Sequence, residues 1–321
     1  MESIFQRIRK TGIVPVVKLE NAVDAVPLAK ALMDGGLPCA EITFRTAAAE
    51  ESIRNIVNQY PDMLVGAGTV LTIQQLDAAI SAGASFIVSP GFNAEIVKAC
   101  IDKGVPVFPG CSSPTDMEAA LALGLKTVKF FPAENIGGIA AIKAMAAPYG
   151  DLTFIPTGGI GAKNINDYLS FPKVVACGGS WMVSPQLIEE GNFAEITRLT
   201  REAVNTVLGF TLAHVGINCD SEADTHDTAK LFCQLFGLEY KPGNSSVFAG
   251  KLIETMTPMP GRGQNGHIAF GTNYIDRAMF QLAAQGVKFR EDTIAKDAKG
   301  NIKAIYLDLD VNGFGVHLIQ K

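Results

Sequence analysis

The sequence predicts two domains: a (β/α)8 TIM barrel over residues 1–208, of α/β class, and an α+β domain of paired βαβββ modules over residues 211–321. Three observations predict this. From Gly12 to Leu208, short β-type runs alternate with helical patterns of about 10 to 15 residues, as parallel βα units do. Eight such units fill about 200 residues, the size of a compact barrel. Past Leu208 the rhythm changes, and the stretch Thr211–Asn218, containing His214, is answered by Asn265–Gly271, whose His267 follows 53 residues later.

Composition supports two packed cores. The chain has 321 residues, 48% hydrophobic and 18% charged, which argues against disorder. Its net charge of −5 provides no basic field, so nucleic acid and anionic membrane surfaces are not the expected partners. A small anionic substrate therefore requires a local pocket. The 6 cysteines are scattered with no C-x-x-C pair, unlike a disulfide framework or a zinc knuckle. The segment Met1–Lys10 lacks the apolar centre of a signal peptide, and no apolar run reaches membrane-spanning length. The expectation is a cytoplasmic protein.

Taken in order, the strand candidates are Ile13–Lys18, Ala40–Arg45, Leu64–Thr69, Phe86–Ser89, Val105–Gly110, Thr127–Phe131, Thr153–Thr157 and Val174–Gly178. Between them lie helices at Ala22–Asp34, Ala47–Tyr60, Ile73–Ala82, Ala94–Lys103, Pro114–Leu123 and Gly138–Ala146, several closed by glycine or proline, and a last helix spans Asn192–Leu208. In this fold the active site lies at the carboxyl ends of the strands.

The run Lys126–Glu134 sets a lysine into an apolar strand. Side chains alternate faces, so Thr127, Lys129 and Phe131 share one side and Val128 and Phe130 the other. An unpaired buried ammonium is costly and tends to lose its proton, which makes it a nucleophile for carbonyls. A strand lysine that snorkels to water is the plainer alternative. The same parity puts Glu41, Thr43 and Arg45 on one face and brings Thr69 to the mouth. A carboxylate, an arginine, a threonine and a lysine then converge on one cavity, unless Glu41 and Lys129 form an ion pair that only fills the barrel.

Gly158-Gly159 follows the seventh strand and Gly178-Gly179-Ser180 the eighth, where this fold commonly binds phosphate. A single glycine pair is usually a turn; two at these positions form an anion-binding pattern. Lys18, on the neighbouring first strand, either adds positive charge there or is solvated.

Together the motifs Glu41-Ile42-Thr43-Phe44-Arg45-Thr46, Val65-Gly66-Ala67-Gly68-Thr69-Val70, Ser89-Pro90-Gly91, Lys129-Phe130-Phe131-Pro132-Ala133-Glu134, Pro156-Thr157-Gly158-Gly159-Ile160 and Gly178-Gly179-Ser180-Trp181 closely resemble the 2-keto-3-deoxy-6-phosphogluconate / 2-keto-4-hydroxyglutarate aldolase family, in register from about residue 3 to 208. The resemblance implies a class I aldolase, usually a homotrimer, that needs no cofactor. It releases pyruvate together with glyceraldehyde 3-phosphate from 2-keto-3-deoxy-6-phosphogluconate, or with glyoxylate from 4-hydroxy-2-oxoglutarate. It implies Lys129 as the Schiff-base residue and Glu41 as general acid/base. By the same resemblance Arg45 and Thr69 hold the pyruvyl carboxylate, Pro90 and Phe131 wall the pocket, and Gly158, Gly159, Gly179 and Ser180 take the distal phosphate. The glycine loops favour the phosphorylated keto acid.

In the second domain each histidine-bearing strand precedes a helical stretch, a glycine turn at Phe236-Gly237-Leu238 or Gln285-Gly286-Val287, and a final strand at Lys251–Met256 or Val316–Lys321. This duplication resembles the glyoxalase-like vicinal-oxygen-chelate proteins. The resemblance implies a candidate divalent-metal site at His214, Glu254, His267 and His317, a donor set suited to zinc, nickel or iron. The last position departs from the family, where glutamate is more usual. The alternatives are ordinary hydrogen-bonded strand side chains there and a domain that binds or regulates without metal. A further one puts the principal role here, as a metal-dependent lyase, isomerase or dioxygenase. Asp224 and His226 read as helix cap and surface.

Overall fold

The computed structural model describes residues 2–259 and 262–321, so Met1 of the N-terminal segment lies outside the described residues. The chain divides into two compact units, Met1–Val207 and Leu208–Lys321.

Unit 1 alternates parallel strands with helices. The strands are β1 (Ile13–Val17), β2 (Cys39–Thr43), β3 (Leu64–Gly68), β4 (Phe86–Val88), β5 (Val107–Phe108), β6 (Thr127–Phe130), β7 (Thr153–Pro156) and β8 (Cys177–Gly179). Six of them form one sheet in the order β5-β4-β3-β2-β1-β8, and β6 pairs with β7 in a second. The parallel bridges Gly110↔Lys129 and Thr157↔Gly178 join the β5 and β8 ends of the first sheet to the second. Both faces of β2, β3, β4 and β6 are buried, as expected where helices cover a parallel sheet. One core cluster gathers Ile8, Val14, Cys39, Leu64, Phe86, Val88, Phe108 and Ile155, with Phe86 and Phe108 edge to face at 5.9 Å.

Several boundaries differ from the sequence reading. The fifth strand shortens to Val107–Phe108, and the helix placed at Ala22–Asp34 begins as a 3₁₀ turn over Ala22–Asp24. A helix at Ile4–Thr11 was not anticipated. Ser3 caps it by accepting the Gln6 N–H at 3.2 Å, Gly12 ends it at φ 69°, and Ile4, Phe5 and Ile8 pack on the core cluster. Short helices at Ile165–Leu169 and Pro185–Glu189 were also unforeseen.

Unit 2 repeats one pattern twice. The first module is β9 (Thr211–Asn218), a helix (Glu222–Phe236), β10 (Tyr240–Pro242), β11 (Ser246–Ala249) and β12 (Ile253–Met256). The second is β13 (Gly266–Thr272), a helix (Ile275–Ala284), β14 (Phe289–Lys296), β15 (Ile302–Val311) and β16 (Phe314–Gln320). Both are βαβββ units, and together they make one sheet in the order β10-β11-β12-β9-β13-β16-β15-β14. The four strands named for metal ligands are therefore its four central ones. Ser221, not Asp224, is the cap of the first helix and accepts the Asp224 N–H, while the Asp224 carboxylate accepts the Asp220 N–H at 3.1 Å. His226 is half-buried rather than at the surface, its Nδ1 2.5 Å from the Tyr240 hydroxyl.

Candidate functional sites

In unit 1, Lys129 of β6 and Glu41 of β2 turn their side chains to the interior and meet there. Lys129 is 6% exposed and Glu41 3%. The ammonium donates to Glu41 Oε1 at 3.2 Å, so each buried charge has a counter-charge. Space for that carboxylate comes from Gly68 on neighbouring β3: a Cβ there would lie 2.2 Å from Glu41 Oε1. Phe131 follows on the same side, with its ring centroid 5.5 Å from Lys129 Nζ.

Phe131 also lines a cavity of about 240 Å³ at the carboxyl ends of the strands, together with Lys18, Thr43, Arg45, Thr157, Gly158, Gly159, Gly178, Gly179 and Ser180. Arg45 Nε donates to Thr69 Oγ1 at 3.3 Å, and Thr69 holds the left-handed φ of 56°, an unfavourable setting for a β-branched residue. Lys18 is paired with Glu20 at 2.5 Å and half exposed. Of the residues expected to contact substrate, Arg45, Phe131, Gly158, Gly159, Gly179 and Ser180 line the cavity. Thr69 joins it through Arg45. Pro90 does not line it; its carbonyl packs against Gly110, where a Cβ would lie 1.9 Å from that oxygen.

Several lining residues lie outside the expected set, Val16, Val17, Val183, Pro185 and Thr157 among them. The Thr157 hydroxyl is buried with no partner among the described residues. Its signal was its place just before the first glycine pair, at the end of β7.

In unit 2 the sheet register assembles the histidines. Directly opposed residues on paired strands share a face, so His214, Ala269, His317 and Tyr306 form one row across β9, β13, β16 and β15. Glu254, Gly216 and His267 form the neighbouring row. The middle residues are small, and a Cβ on Gly216 would sit 2.2 Å from the His267 ring. Over that gap His214 Nε2 and His267 Nε2 approach to 2.9 Å, and each lies 3.0 Å from Glu254 Oε2. One coordinating atom from each of His214, His267 and His317 lies within 4.8 Å of the others.

This arrangement is not satisfied by protons alone. An ionised carboxylate only accepts, and each Nε2 carries one hydrogen or one lone pair. Three mutual contacts of 2.9–3.0 Å therefore cannot all be hydrogen bonds. His267 Nδ1 and both ring nitrogens of His317 are buried without a partner among the described residues. Burial pushes the His317 imidazole down to about 3, helped by repulsion from His267 and His214. Burial acts to raise Glu254, and hydrogen bonds from His214, His267 and Ser246 outweigh it, holding the carboxyl well below the usual range. A neutral His317 among imidazole ligands beside an ionised carboxylate is a donor set that fits a divalent cation. Tyr306, stacked on His317 at 4.5 Å and 8°, walls the cluster and was not foreseen.

Comparisons with known proteins bear on unit 1. The family model described as KDPG and KHG aldolase matches residues 4–199. The 2-dehydro-3-deoxy-phosphogluconate aldolase of Treponema pallidum (strain Nichols) is 49% identical over 207 residues, 64% of this chain and 99% of that protein. The structure of the Legionella pneumophila KDPG aldolase, with pyruvate captured as a covalent carbinolamine intermediate, is 37% identical with a TM-score of 0.61, covering 63% of this chain and 98% of the other. The Zymomonas mobilis ZM4 enzyme, solved with 3-phosphoglycerate, is 42% identical with a TM-score of 0.58, covering 62% and 93%.

Proposed function

The chain belongs to the KDPG and KHG aldolase family, and on that premise we propose how its own residues carry out the reaction. It is a class I aldolase that cleaves 2-keto-3-deoxy-6-phosphogluconate to pyruvate and glyceraldehyde 3-phosphate. The buried Lys129–Glu41 pair, with Lys129 Nζ 5.5 Å from the ring of the cavity-lining Phe131, is the observation that supports this assignment of roles most directly.

Passing its proton to Glu41 along the 3.2 Å contact frees the Lys129 amine. The amine attacks the C2 ketone, Glu41 returns the proton to the carbinolamine hydroxyl, and water leaves to give the protonated imine with Glu41 ionised again. Glu41 then accepts the proton of the C4 hydroxyl as the C3–C4 bond breaks. The bonding pair flows into the imine, leaving an enamine and releasing the aldehyde. Protonation at C3 and hydrolysis return pyruvate and the free lysine. Arg45 and Thr69 hold the pyruvyl carboxylate, and Gly158, Gly159, Gly179 and Ser180 the distal phosphate. Phe131 walls the pocket. The unphosphorylated 4-hydroxy-2-oxoglutarate is a second substrate of the same site.

The closure bridges at Gly110 and Thr157 support reading unit 1 as a complete (β/α)8 barrel. The homotrimer and cytoplasmic location expected above belong to the same proposal. Among the described residues no helix is long and apolar enough to cross a membrane. Incubation with pyruvate and borohydride, followed by peptide mass spectrometry, tests the mechanism. A reduced pyruvyl adduct on the Lys129 peptide is expected; an adduct elsewhere, or none, overturns it.

For unit 2, the paired βαβββ modules support a glyoxalase-like vicinal-oxygen-chelate domain. The unpartnered nitrogens of His317 and His267 support a divalent-metal site held by His214, His267, His317 and Glu254. A bound ion there would supply Lewis-acid polarisation of an oxygen ligand. The protein's part is to hold three imidazoles and one carboxylate together in a buried floor.

A further inference from the structure

The Gly158–Ile160 turn has two carbonyls fixed from outside the cavity. The Glu134 N–H donates to Gly158 O at 3.1 Å, and Asn164 Nδ2 donates to Gly159 O at 3.2 Å. A trans peptide sets its N–H opposite its C=O, so pinning these carbonyls turns the Gly159 and Ile160 N–H groups to the cavity side. Gly158, Gly159 and Ile160 all line that cavity, and neither N–H has an acceptor among the described residues. Gly158 and Gly159 take φ of 102° and 75°, and consecutive main-chain N–H groups held this way form an anion-binding concavity.

The pins are themselves supported. Asn164 Oδ1 accepts the Gly161 N–H at 2.9 Å, so one side chain ties both ends of a three-residue span. Glu134 packs against Gly159, where a Cβ would lie 2.6 Å from its Cβ and Cγ. Its carboxylate accepts the hydroxyl of Tyr168, a residue 1% exposed. Neither Asn164 nor Glu134 lines the cavity.

We infer that Asn164 and the Tyr168–Glu134 pair are positioning residues that aim the Gly159 and Ile160 N–H groups at the substrate's phosphate, and so set the preference for a phosphorylated over an unphosphorylated keto acid. This rests on the phosphate-loop reading above. The test measures kcat and KM of the full chain for 2-keto-3-deoxy-6-phosphogluconate and for 4-hydroxy-2-oxoglutarate, with inorganic phosphate as competitive inhibitor, in wild type, Asn164→Ala and Tyr168→Phe. Tyr168→Phe removes one hydroxyl and keeps the packing, so it reports even where Asn164→Ala folds poorly. In Asn164→Ala the ratio of the two kcat/KM values is expected to fall about ten- to a hundredfold through KM, as for misaligned hydrogen bonds to a charged group. Phosphate inhibition weakens in parallel, and Tyr168→Phe shows a smaller shift of the same sign. Equal losses on both substrates, or an unchanged ratio in an enzyme whose wild type prefers the phosphorylated one, overturn the positioning role and leave the phosphate-loop reading standing. A wild type without that preference overturns both.

Discussion

The two units bury polar chemistry in opposite ways. In unit 1 the lysine of β6 and the glutamate of β2 meet at 3.2 Å, each the other's counter-charge. In unit 2 three imidazoles and one carboxylate crowd together, and three buried ring nitrogens have no partner among the described residues. A satisfied pair and an unsatisfied cluster call for different completions. On the mechanism proposed above, the first has within itself the proton donor and acceptor the reaction needs. On the reading proposed above, a cation completes the second.

The sharpest way to break the comparison is to remove one half of the self-sufficient pair. Lys129→Ala deletes the nucleophile and strands Glu41 in a site where it is 3% exposed. Cleavage of 2-keto-3-deoxy-6-phosphogluconate should fall about 10⁴-fold or more, and stability should drop by roughly 3–5 kcal/mol unless Glu41 takes up a proton. Glu41→Gln keeps shape and separates the roles. Borohydride should still trap pyruvate on Lys129, while steady-state turnover falls about 10²- to 10⁴-fold, the usual contribution of a general acid/base. Turnover near wild type in Glu41→Gln would remove the carboxylate from the chemistry.

The cluster is perturbed most cleanly without touching a ligand. Gly216→Ala adds one methyl 2.2 Å from the His267 ring, on a strand whose backbone accepts alanine. The ring must shift, which disturbs its contacts with His214 and Glu254. Zinc titration of the metal-free chain should show one ion bound in wild type and an affinity about 10- to 100-fold weaker in the variant, with overpacking costing about 1–3 kcal/mol. Equal affinities would show that the cluster is not the site. Pyruvate trapping on Lys129 serves as the control for unit 1.

The contrast also explains what could be read from the sequence. Lys129, Glu41 and Arg45 were legible because period two and strand-end position are local properties, and a parallel α/β unit repeats them. The glycine pairs were legible for the same reason. Asn164 and Glu134 were not, since their partners are main-chain atoms of a turn whose path only the folded loop defines. His214 and His267 were legible as a repeat, yet Tyr306 faces them only through its register with His317, set by an antiparallel pairing that contains a shift. The helix Ile4–Thr11 escaped notice because its main signal is one capping serine before a short amphipathic segment.

The smallest expected effect is a pH dependence belonging to one unit. In the unfolded chain His317 takes up a proton near its ordinary 6.5, whereas in the folded metal-free protein burial and the neighbouring imidazoles delay this to about 3. Between those values the unfolded state binds more protons, so the stability that neutral His317 contributes is complete above about 6.5 and is lost as pH falls toward 3. Glu254, whose carboxyl is also held low, adds a loss of the same sign once pH drops below its ordinary 4.5. From pH 7.5 to pH 5 the His317 contribution amounts to roughly 1–2 kcal/mol. The check is amide exchange of the EDTA-treated chain, comparing β9, β13 and β16 with unit 1, whose Trp181 is the one tryptophan of the chain. Acidification should speed exchange in those three strands in wild type and much less in His317→Gln, with Trp181 fluorescence unfolding the same in both proteins. An equal acid response in His317→Gln would mean that His317 is protonated in the folded state, and that the cluster, like the Lys129–Glu41 pair, neutralises its own charge.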